Sequence, residues 1–152
     1  MQKILALCDD ENQGKTETLN VLVELLSSVA DFVEIYRDNG IDSYAWFKIN
    51  EKYVFVGTSG DEAKTVKANI NYTKKYACMV GITASRNDGD TKEVVNKQLT
   101  DDGNHITPIS KKELENKISK KISLTANNRL IAARLFQEIV KETCPKLFKE
   151  DL

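Results

Sequence analysis

The order of hydrophobic and polar residues near the N-terminus predicts a buried strand followed by an amphipathic helix. Residues 4–8 are five consecutive apolar side chains, the length of a short strand that is covered on both faces. Leu19, Leu22 and Leu26 then recur at three- and four-residue spacing, which places them on one face of a helix. The polar residues between these two segments are expected to form the loop that joins the strand to the helix.

Short apolar runs and helical spacing continue along the rest of the chain. The aromatic and β-branched runs 44–49 and 53–56 flank a three-residue connection, which predicts an antiparallel hairpin. Further strands are expected at 32–36, 77–84 and 105–107. Helices are expected at 61–75 and around 94–99. A third helix should run from the capping box at Ser110 through Ile122, and a last one contains Ile131, Leu135 and Ile139.

Buried strands separated by helices predict an α/β fold of three layers. The sheet is expected to be mostly parallel and covered on both faces, with the hairpin as an antiparallel edge. Only two prolines and seven glycines occur in the chain, and no repeat or low-complexity segment marks a linker. We therefore expect a single domain over residues 1–152.

Composition and charge narrow the classes of partner. The 152 residues include 22 Lys and Arg against 23 Asp and Glu, a formal net charge of −1, so a nucleic-acid partner is not expected. The longest apolar stretch, 19–30, is interrupted by polar residues and is too short to span a membrane, so no membrane partner is expected. An odd cysteine count of three and an N-terminus without a signal-peptide pattern are typical of a cytoplasmic protein.

The loop between the first strand and the first helix carries a motif with chemical meaning. Residues 9–16 have the sequence Asp-Asp-Glu-Asn-Gln-Gly-Lys-Thr. Gly14, Lys15 and Thr16 match the end of a phosphate-binding loop, in which glycine lets the backbone approach, lysine reaches the β- and γ-phosphates and the threonine hydroxyl contacts Mg²⁺. The predicted nucleotide-binding residues are Asn12, Gln13, Gly14, Lys15, Thr16 and Glu17, joined by Arg86 from a later loop.

The start of this loop departs from the full motif. Asp9 stands where the first glycine belongs, and Asp10 and Glu11 follow it. A carboxylate about 4 Å from a phosphate charge costs roughly 4 kcal/mol at an effective dielectric constant of about 20. Three hypotheses stay open: the loop binds nucleotide with its carboxylates turned to water, the carboxylates help to hold Mg²⁺, or the loop no longer binds phosphate.

Two later segments accompany the motif. Residues 53–61 contain a strand that ends in Gly-Thr-Ser-Gly-Asp, and residues 82–91 contain a strand followed by Ala-Ser-Arg. Together with 14–16, these pieces make the chain resemble a group of small bacterial and phage P-loop NTPase-like proteins of unassigned function. The resemblance implies a P-loop NTPase-like fold and an ATP or GTP site with Mg²⁺. The switch aspartate and the base-reading motif of small GTPases are replaced at 57–60 and 84–87, so guanine selectivity is not expected.

Two residues outside the loop are candidate partners for the phosphates or the metal. Asp61 follows the strand predicted at 53–56, where it is expected either to orient Mg²⁺ beside Thr16 or to cap the next helix. Arg86 follows the next strand, where it either contacts a phosphate or pairs with Asp88 or Asp90 on the surface.

Other residues with reactive or polar side chains have simpler interpretations. The late lysines are expected on a solvated helix face, His105 in a strand, and Asn127 and Asn128 at a helix N-cap. Cys8 is expected near Cys78, as buried thiols or a redox pair. Trp46, with Tyr44 and Phe47, is expected either in the core or on a surface that binds a partner. The late lysines are Lys111, Lys112, Lys117, Lys120 and Lys121.

The motif and its setting predict a protein that binds a nucleoside triphosphate, ATP or GTP, with Mg²⁺. The sequence offers no evident catalytic base, so slow or no hydrolysis is expected. The alternative is a P-loop-derived protein that has lost catalysis and acts as a protein-interaction or regulatory module, through the hairpin aromatics or by self-association.

Overall fold

Six strands and four helices make up the part of the chain that the computed structural model describes, which is residues 2–8, 14–38, 42–60, 62–86, 89–102, 105–110 and 123–148. The strands are β1 (Lys3–Cys8), β2 (Phe32–Asp38), β3 (Asp42–Ile49), β4 (Lys52–Gly57), β5 (Val80–Ser85) and β6 (His105–Ser110). The helices are α1 (Lys15–Val29), α2 (Ala63–Lys75), α3 (Gly89–Asp102) and α4 (Leu124–Thr143), and a short 3₁₀ turn, Pro145–Phe148, follows α4.

The strands form one mixed sheet in the order β2-β3-β4-β5-β1-β6. The pairs β4–β5, β5–β1 and β1–β6 are parallel, whereas β2–β3 and β3–β4 are antiparallel. The predicted α/β class is confirmed, but the prediction of a mostly parallel sheet is wrong. The physical reason is the shortness of the connections on either side of β3, because a parallel neighbour requires a crossover of a dozen or more residues.

The hairpin of β3 and β4 is confirmed, with a tighter turn than expected. Two residues, Asn50 and Glu51, connect the strands, and both have left-handed backbone angles, with φ of 50° and 65°. This is the type I′ geometry, whose twist matches that of the flanking strands. The Asn50 side chain also donates a hydrogen bond from Nδ2 to the Thr143 carbonyl at 2.7 Å, which ties the turn to the end of α4.

The helices cover both faces of the sheet. Leu19, Leu22 and Leu26 of α1 are buried, as their spacing predicted, in a core that α1 shares with α4 on one face. A second cluster, which contains Ile4 and Val66, lies under α2 and α3 on the opposite face. Helices α1, α2 and α3 follow β1, β4 and β5 directly, so all three begin at the sheet edge where these strands end.

The orientation of α4 is fixed by contacts at its two ends. Near its start, Asn128 contacts Thr18 in the first turns of α1 through a hydrogen bond of 3.0 Å. Near its end, Glu138 and Glu142 form ion pairs of 3.6 and 3.4 Å with Lys3, the first residue of β1. Helix α4 therefore starts at the carboxyl edge of the sheet and ends at the amino edge.

Helix α2 lies unusually close to the sheet because glycines stand beneath it. A Cβ atom on Gly57 would lie 2.2 Å from Oδ1 of Asn69, and one on Gly81 would lie 2.0 Å from Oγ1 of Thr73. Atoms at such distances overlap, so these two positions exclude a side chain while α2 keeps its place. The close approach lets Asn69 donate hydrogen bonds to the Ser59 carbonyl and the Thr83 hydroxyl, at 2.9 and 2.8 Å.

Some predicted boundaries differ from the structure. The strand expected at 77–84 begins at Val80. The chain first makes a further turn after α2, in which the backbone amide of Cys78 donates to the Thr73 carbonyl at 2.9 Å. Ser110 is the last residue of β6, and its role as a helix cap stays a prediction. The helix predicted after it falls on residues 111–122, outside the described residues, as do the late lysines.

In the described part of the chain, no helix combines the length and the apolar character that crossing a membrane requires.

Candidate functional site

The carboxyl ends of β1, β4 and β5 lie side by side at one edge of the sheet, and we call the place between the ends of β1 and β5 the crevice. Cys8, the last residue of β1, is opposite Ser85, the last residue of β5. The helices that follow these two neighbouring strands, α1 and α3, lie on opposite faces of the sheet. In open α/β sheets, ligands bind at the carboxyl ends of strands, at the point where the connections diverge in this way. The crevice between β1 and β5 is therefore where the topology favours a binding site.

Helix α1 begins in this crevice, at Gly14. Gly14 has a φ of 83°, a left-handed conformation that glycine adopts without steric cost. Its carbonyl accepts two hydrogen bonds from Thr18, from the amide at 2.9 Å and from Oγ1 at 2.7 Å. These bonds close the first turn of α1, and the free backbone N–H groups of a helix's first turn point out of its start, where an anion can bind.

Lys15 brings a buried charged side chain to the crevice, between the start of α1 and the end of β5. Its side chain is buried, with 5% of the residue exposed, and its Nζ donates a hydrogen bond of 3.1 Å to the carbonyl of Ser85. The ammonium group therefore lies at the carboxyl end of β5, directly beside the end of β1. A buried ammonium needs such partners, because its desolvation is costly.

Thr16 connects the start of α1 to the end of β4. Its Oγ1 donates to the Thr58 carbonyl at 3.4 Å. Thr58 is fully buried and is fixed to β3, because its amide donates to the Ser43 carbonyl at 3.0 Å and its hydroxyl accepts from the Ser43 amide at 2.8 Å. The hydroxyl of Thr16 is thus placed on the β4 side of Lys15.

The segments after β4 and β5 pack directly on each other. A Cβ atom on Gly60 would lie 1.9 Å from the carbonyl oxygen of Ala84, so the backbone of Gly60 rests on the end of β5. The Arg86 amide donates to the hydroxyl of Thr91, a buried residue of α3, at 3.0 Å. These contacts hold the crevice walls in place around Lys15.

The structure brings together the predicted site residues that it describes. Gly14, Lys15, Thr16 and Glu17 form the start of α1, and Arg86, which is half-buried, follows the end of β5 at the same sheet edge. The other predicted site residues lie outside the described residues, and these are Asn12, Gln13 and Asp61. The acidic residues at the start of the loop, Asp9, Asp10 and Glu11, also lie outside them.

The described residues offer few metal ligands. Within the ranges given above, no group of three or more His, Cys, Asp or Glu side chains is close enough to hold a metal ion. Of the two predicted Mg²⁺ ligands, Thr16 lies in the crevice and Asp61 is outside the described residues. Among the described residues, Thr16 is therefore the predicted Mg²⁺ ligand whose position is given.

The N-cap prediction for Asn127 and Asn128 is wrong. Ser123 caps α4, because its hydroxyl accepts from the Ala126 amide at 3.1 Å. Asn127 and Asn128 are one turn further on and are buried. Asn128 contacts Thr18, the residue that holds the Gly14 carbonyl. This link was not predicted, because it joins residues that are distant along the chain.

The proximity predicted for Cys8 and Cys78 is wrong. In the parallel register of β1 and β5, Lys3 lies opposite Val80 and Cys8 lies at the other end of β1. Cys78 precedes Val80, so about 16 Å of strand separates it from the level of Cys8. Both cysteines are buried free thiols, which agrees with the structural interpretation rather than with a redox pair.

Cys78 should make the fold sensitive to alkaline pH. Burial raises the pKa of its thiol from an ordinary 9.0 to about 11. Between these values the unfolded chain loses the proton first, so the free energy of unfolding should fall with rising pH, by up to about 2 kcal/mol. Urea denaturation across this range measures the effect. Cys78→Ala should flatten the pH dependence, whereas Cys144→Ala should not, and equal slopes in all three proteins would contradict the assignment.

His105 and the hairpin aromatics take positions in the sheet. His105 is the first residue of β6, opposite Lys3, as predicted for a strand residue. Phe47 is fully buried in the core beneath α1 and α4. Trp46 points to the opposite face, where its ring contacts Phe55 of β4 and Tyr72 of α2.

Comparison of the chain with protein-family models, with curated proteins and with solved structures finds no match.

Proposed function

We propose that this protein binds a nucleoside triphosphate, ATP or GTP, together with Mg²⁺, and hydrolyses it slowly or not at all. The observation that supports this proposal is the position of Lys15. Its ammonium group is buried at the ends of β1 and β5, where the connections that follow these two strands diverge. Lys15 directly follows Gly14, the glycine at which α1 starts. A fixed positive charge beside a helix start, at the carboxyl edge of a sheet, suits the phosphates of a nucleotide. We infer on the same grounds a P-loop NTPase-like fold.

The hydrogen bond from Lys15 to the Ser85 carbonyl prepares the ammonium group for an anion. A carbonyl oxygen carries a partial charge, whereas a phosphate oxygen carries a formal one, so the ammonium group would be attracted more strongly to phosphate. A phosphate that enters the crevice would share or replace this bond. The side chain has little conformational freedom left to lose, since it is already buried.

Thr16 and Arg86 would complete the contacts with the phosphates. Thr16 would offer its hydroxyl to Mg²⁺, whose remaining ligands would be phosphate oxygens and water, a usual arrangement for this ion. Bound Mg²⁺ would neutralise part of the phosphate charge. Arg86, half-buried at the same edge, would contribute a second cation. The described groups of the crevice bind and orient phosphates, but efficient hydrolysis also needs a group that positions the attacking water.

Calorimetric titration of the protein with ATP and with GTP, each with Mg²⁺ and with a chelator, tests the proposal. We expect saturable binding with a Kd between about 1 μM and 1 mM. Thr16→Val keeps the shape of the side chain and should remove the strengthening by Mg²⁺ while leaving binding of the free nucleotide. Absence of saturable binding at millimolar nucleotide would contradict the proposal and favour the interaction module as the function.

A further inference from the structure

A cavity lies away from the crevice, on the β2–β3 side of the sheet. It measures about 580 Å³ and is lined by five aromatic rings and one carboxylate. It opens on the sheet face opposite to α1 and α4, next to β2, which is the last strand of the described sheet. We call it the aromatic groove, and its lining residues are Phe32, Glu34, Tyr36, Trp46, Tyr53 and Tyr76.

Two rings of the aromatic groove stand at right angles to the ring of Trp46. The planes of Tyr36 and Tyr76 make angles of 84° and 85° with the indole of Trp46, at centroid distances of 5.6 and 5.5 Å. Tyr36 is 51% exposed and Tyr76 is 46% exposed, so both rings remain accessible to a ligand. Rings in this arrangement present their surfaces to a rounded group from several directions, whereas a flat ligand can stack on only one of them.

The aromatic groove also holds a negative charge. Glu34 of β2 is directly opposite Trp46 of β3 in the antiparallel register, so the carboxylate stands beside the indole. The Tyr36 hydroxyl donates a hydrogen bond to the Glu34 carboxylate, and this bond raises the pKa of Tyr36. The carboxylate thus adds its charge to the electron-rich faces of the rings, and both attract cations.

Ammonium groups of the protein itself already lie against two rings of the groove. The Lys48 Nζ is 5.9 Å from the centroid of Tyr53, and the Lys75 Nζ is 5.5 Å from that of Tyr76. Both distances are within the range of a cation–π interaction. Lys48 is also paired with Glu51 at 3.4 Å. The outer rings therefore attract cations in the folded protein.

From this geometry we propose that the aromatic groove binds a small free compound that carries a quaternary ammonium group. Such a group is rounded, carries one positive charge and has no N–H donors, so it can contact perpendicular rings without leaving a hydrogen bond unmade. A guanidinium group is flat and would stack on a single ring. A primary ammonium is strongly hydrated and would lose more water on entering. The proposal is independent of nucleotide binding in the crevice.

Fluorescence of Trp46 provides a direct test, because it is the single tryptophan of the chain. Titration with choline should change the emission saturably, with a Kd of about 1 mM or tighter, and equilibrium dialysis of labelled choline should give the same value. The uncharged isostere, in which carbon replaces the quaternary nitrogen, should bind at least about tenfold more weakly. Equal binding of the two compounds, or no binding of choline, would overturn the proposal.

Three variants separate charge recognition from simple hydrophobic binding. Glu34→Gln should weaken choline binding about threefold to tenfold, whereas Lys75→Gln should strengthen it because a like charge is removed from the rim. The matched control is Glu24→Gln, which removes an exposed carboxylate of α1 on the opposite side of the sheet and should change nothing. If neither groove variant differs from the control, the proposal is wrong.

Two further ligands test the class and the source of the cation. Arginine amide should bind more weakly than choline, because its guanidinium group is flat. A peptide that carries trimethyl-lysine should bind no more tightly than choline if the ligand is a free compound. Stronger binding of arginine amide, or an affinity for the peptide at least about a hundredfold above that for choline, would overturn the proposal in favour of a protein partner.

Discussion

Lys15→Ala should lower the affinity of the protein for ATP or GTP by about a hundredfold or more. The substitution removes a buried ammonium group from the crevice, and charge-assisted hydrogen bonds to phosphate are among the strongest polar contacts in proteins. Calorimetric titration of the variant beside the wild-type protein measures the loss. An affinity within a factor of about three of wild type would show that nucleotide binds elsewhere or without Lys15.

Stability must be measured in the same variants, because Lys15 also has a structural contact. Without its ammonium group, the Ser85 carbonyl loses the hydrogen bond of 3.1 Å, which we expect to cost about 1–3 kcal/mol of unfolding free energy. Lys15→Met keeps most of the apolar side chain and removes the charge, so it separates packing from electrostatics. Lys3→Met, which removes a cation at the opposite edge of the sheet, is the matched control and should leave the nucleotide affinity unchanged.

Gly60→Ala should destabilise the fold by about 3 kcal/mol or more, an effect at the upper end of those seen for overpacking. The new Cβ would overlap a backbone carbonyl, that of Ala84, at 1.9 Å. A flexible side chain can turn away from such an overlap, but the backbone carbonyl of a paired strand cannot. The loop after β4 would therefore have to move away from β5. The unfolding free energy in urea is the measurement.

The same displacement should weaken nucleotide binding, because the moved loop carries the Thr58 carbonyl that Thr16 contacts. Ser59→Ala changes the neighbouring, half-buried residue without adding atoms and should stay within about 0.5 kcal/mol of wild type. If Gly60→Ala unfolds at the same urea concentration as wild type, then the loop tolerates a side chain and does not form a rigid wall of the crevice.

Local patterns in the sequence predicted much of this fold. The spacing of Leu19, Leu22 and Leu26 identified the buried face of α1, and the runs on either side of Asn50 identified the hairpin, because both depend on residues close in the chain. The pairing of β2 with β3 was not predicted, although the connection of three residues leaves no room for a crossover helix. Connection length can be taken from the sequence in the same way as hydrophobic runs, and here it favours an antiparallel pairing of β2 with β3.

The candidate site was predictable only in part, since its partners come from distant elements. The motif placed Gly14, Lys15 and Thr16 at the start of a helix, as found. The Ser85 carbonyl accepts the hydrogen bond of Lys15 because β5 lies beside β1. Local sequence patterns do not predict the order of strands in a sheet. The contact between Thr18 and Asn128 depends likewise on how α4 docks against α1. The aromatic groove likewise depends on a contact between distant elements, because Tyr76, which follows α2, lies against Trp46 of β3.

The shared starting edge of the four helices gives the molecule a permanent electric dipole moment. Each helix carries roughly half a positive elementary charge at its start and the same negative charge at its end, and here all four axes run from one edge of the sheet to the other. A chain with a formal net charge of −1 is thus far from electrically uniform. The aligned helix dipoles favour an anion at the starting edge, most strongly at low ionic strength, where screening is weak.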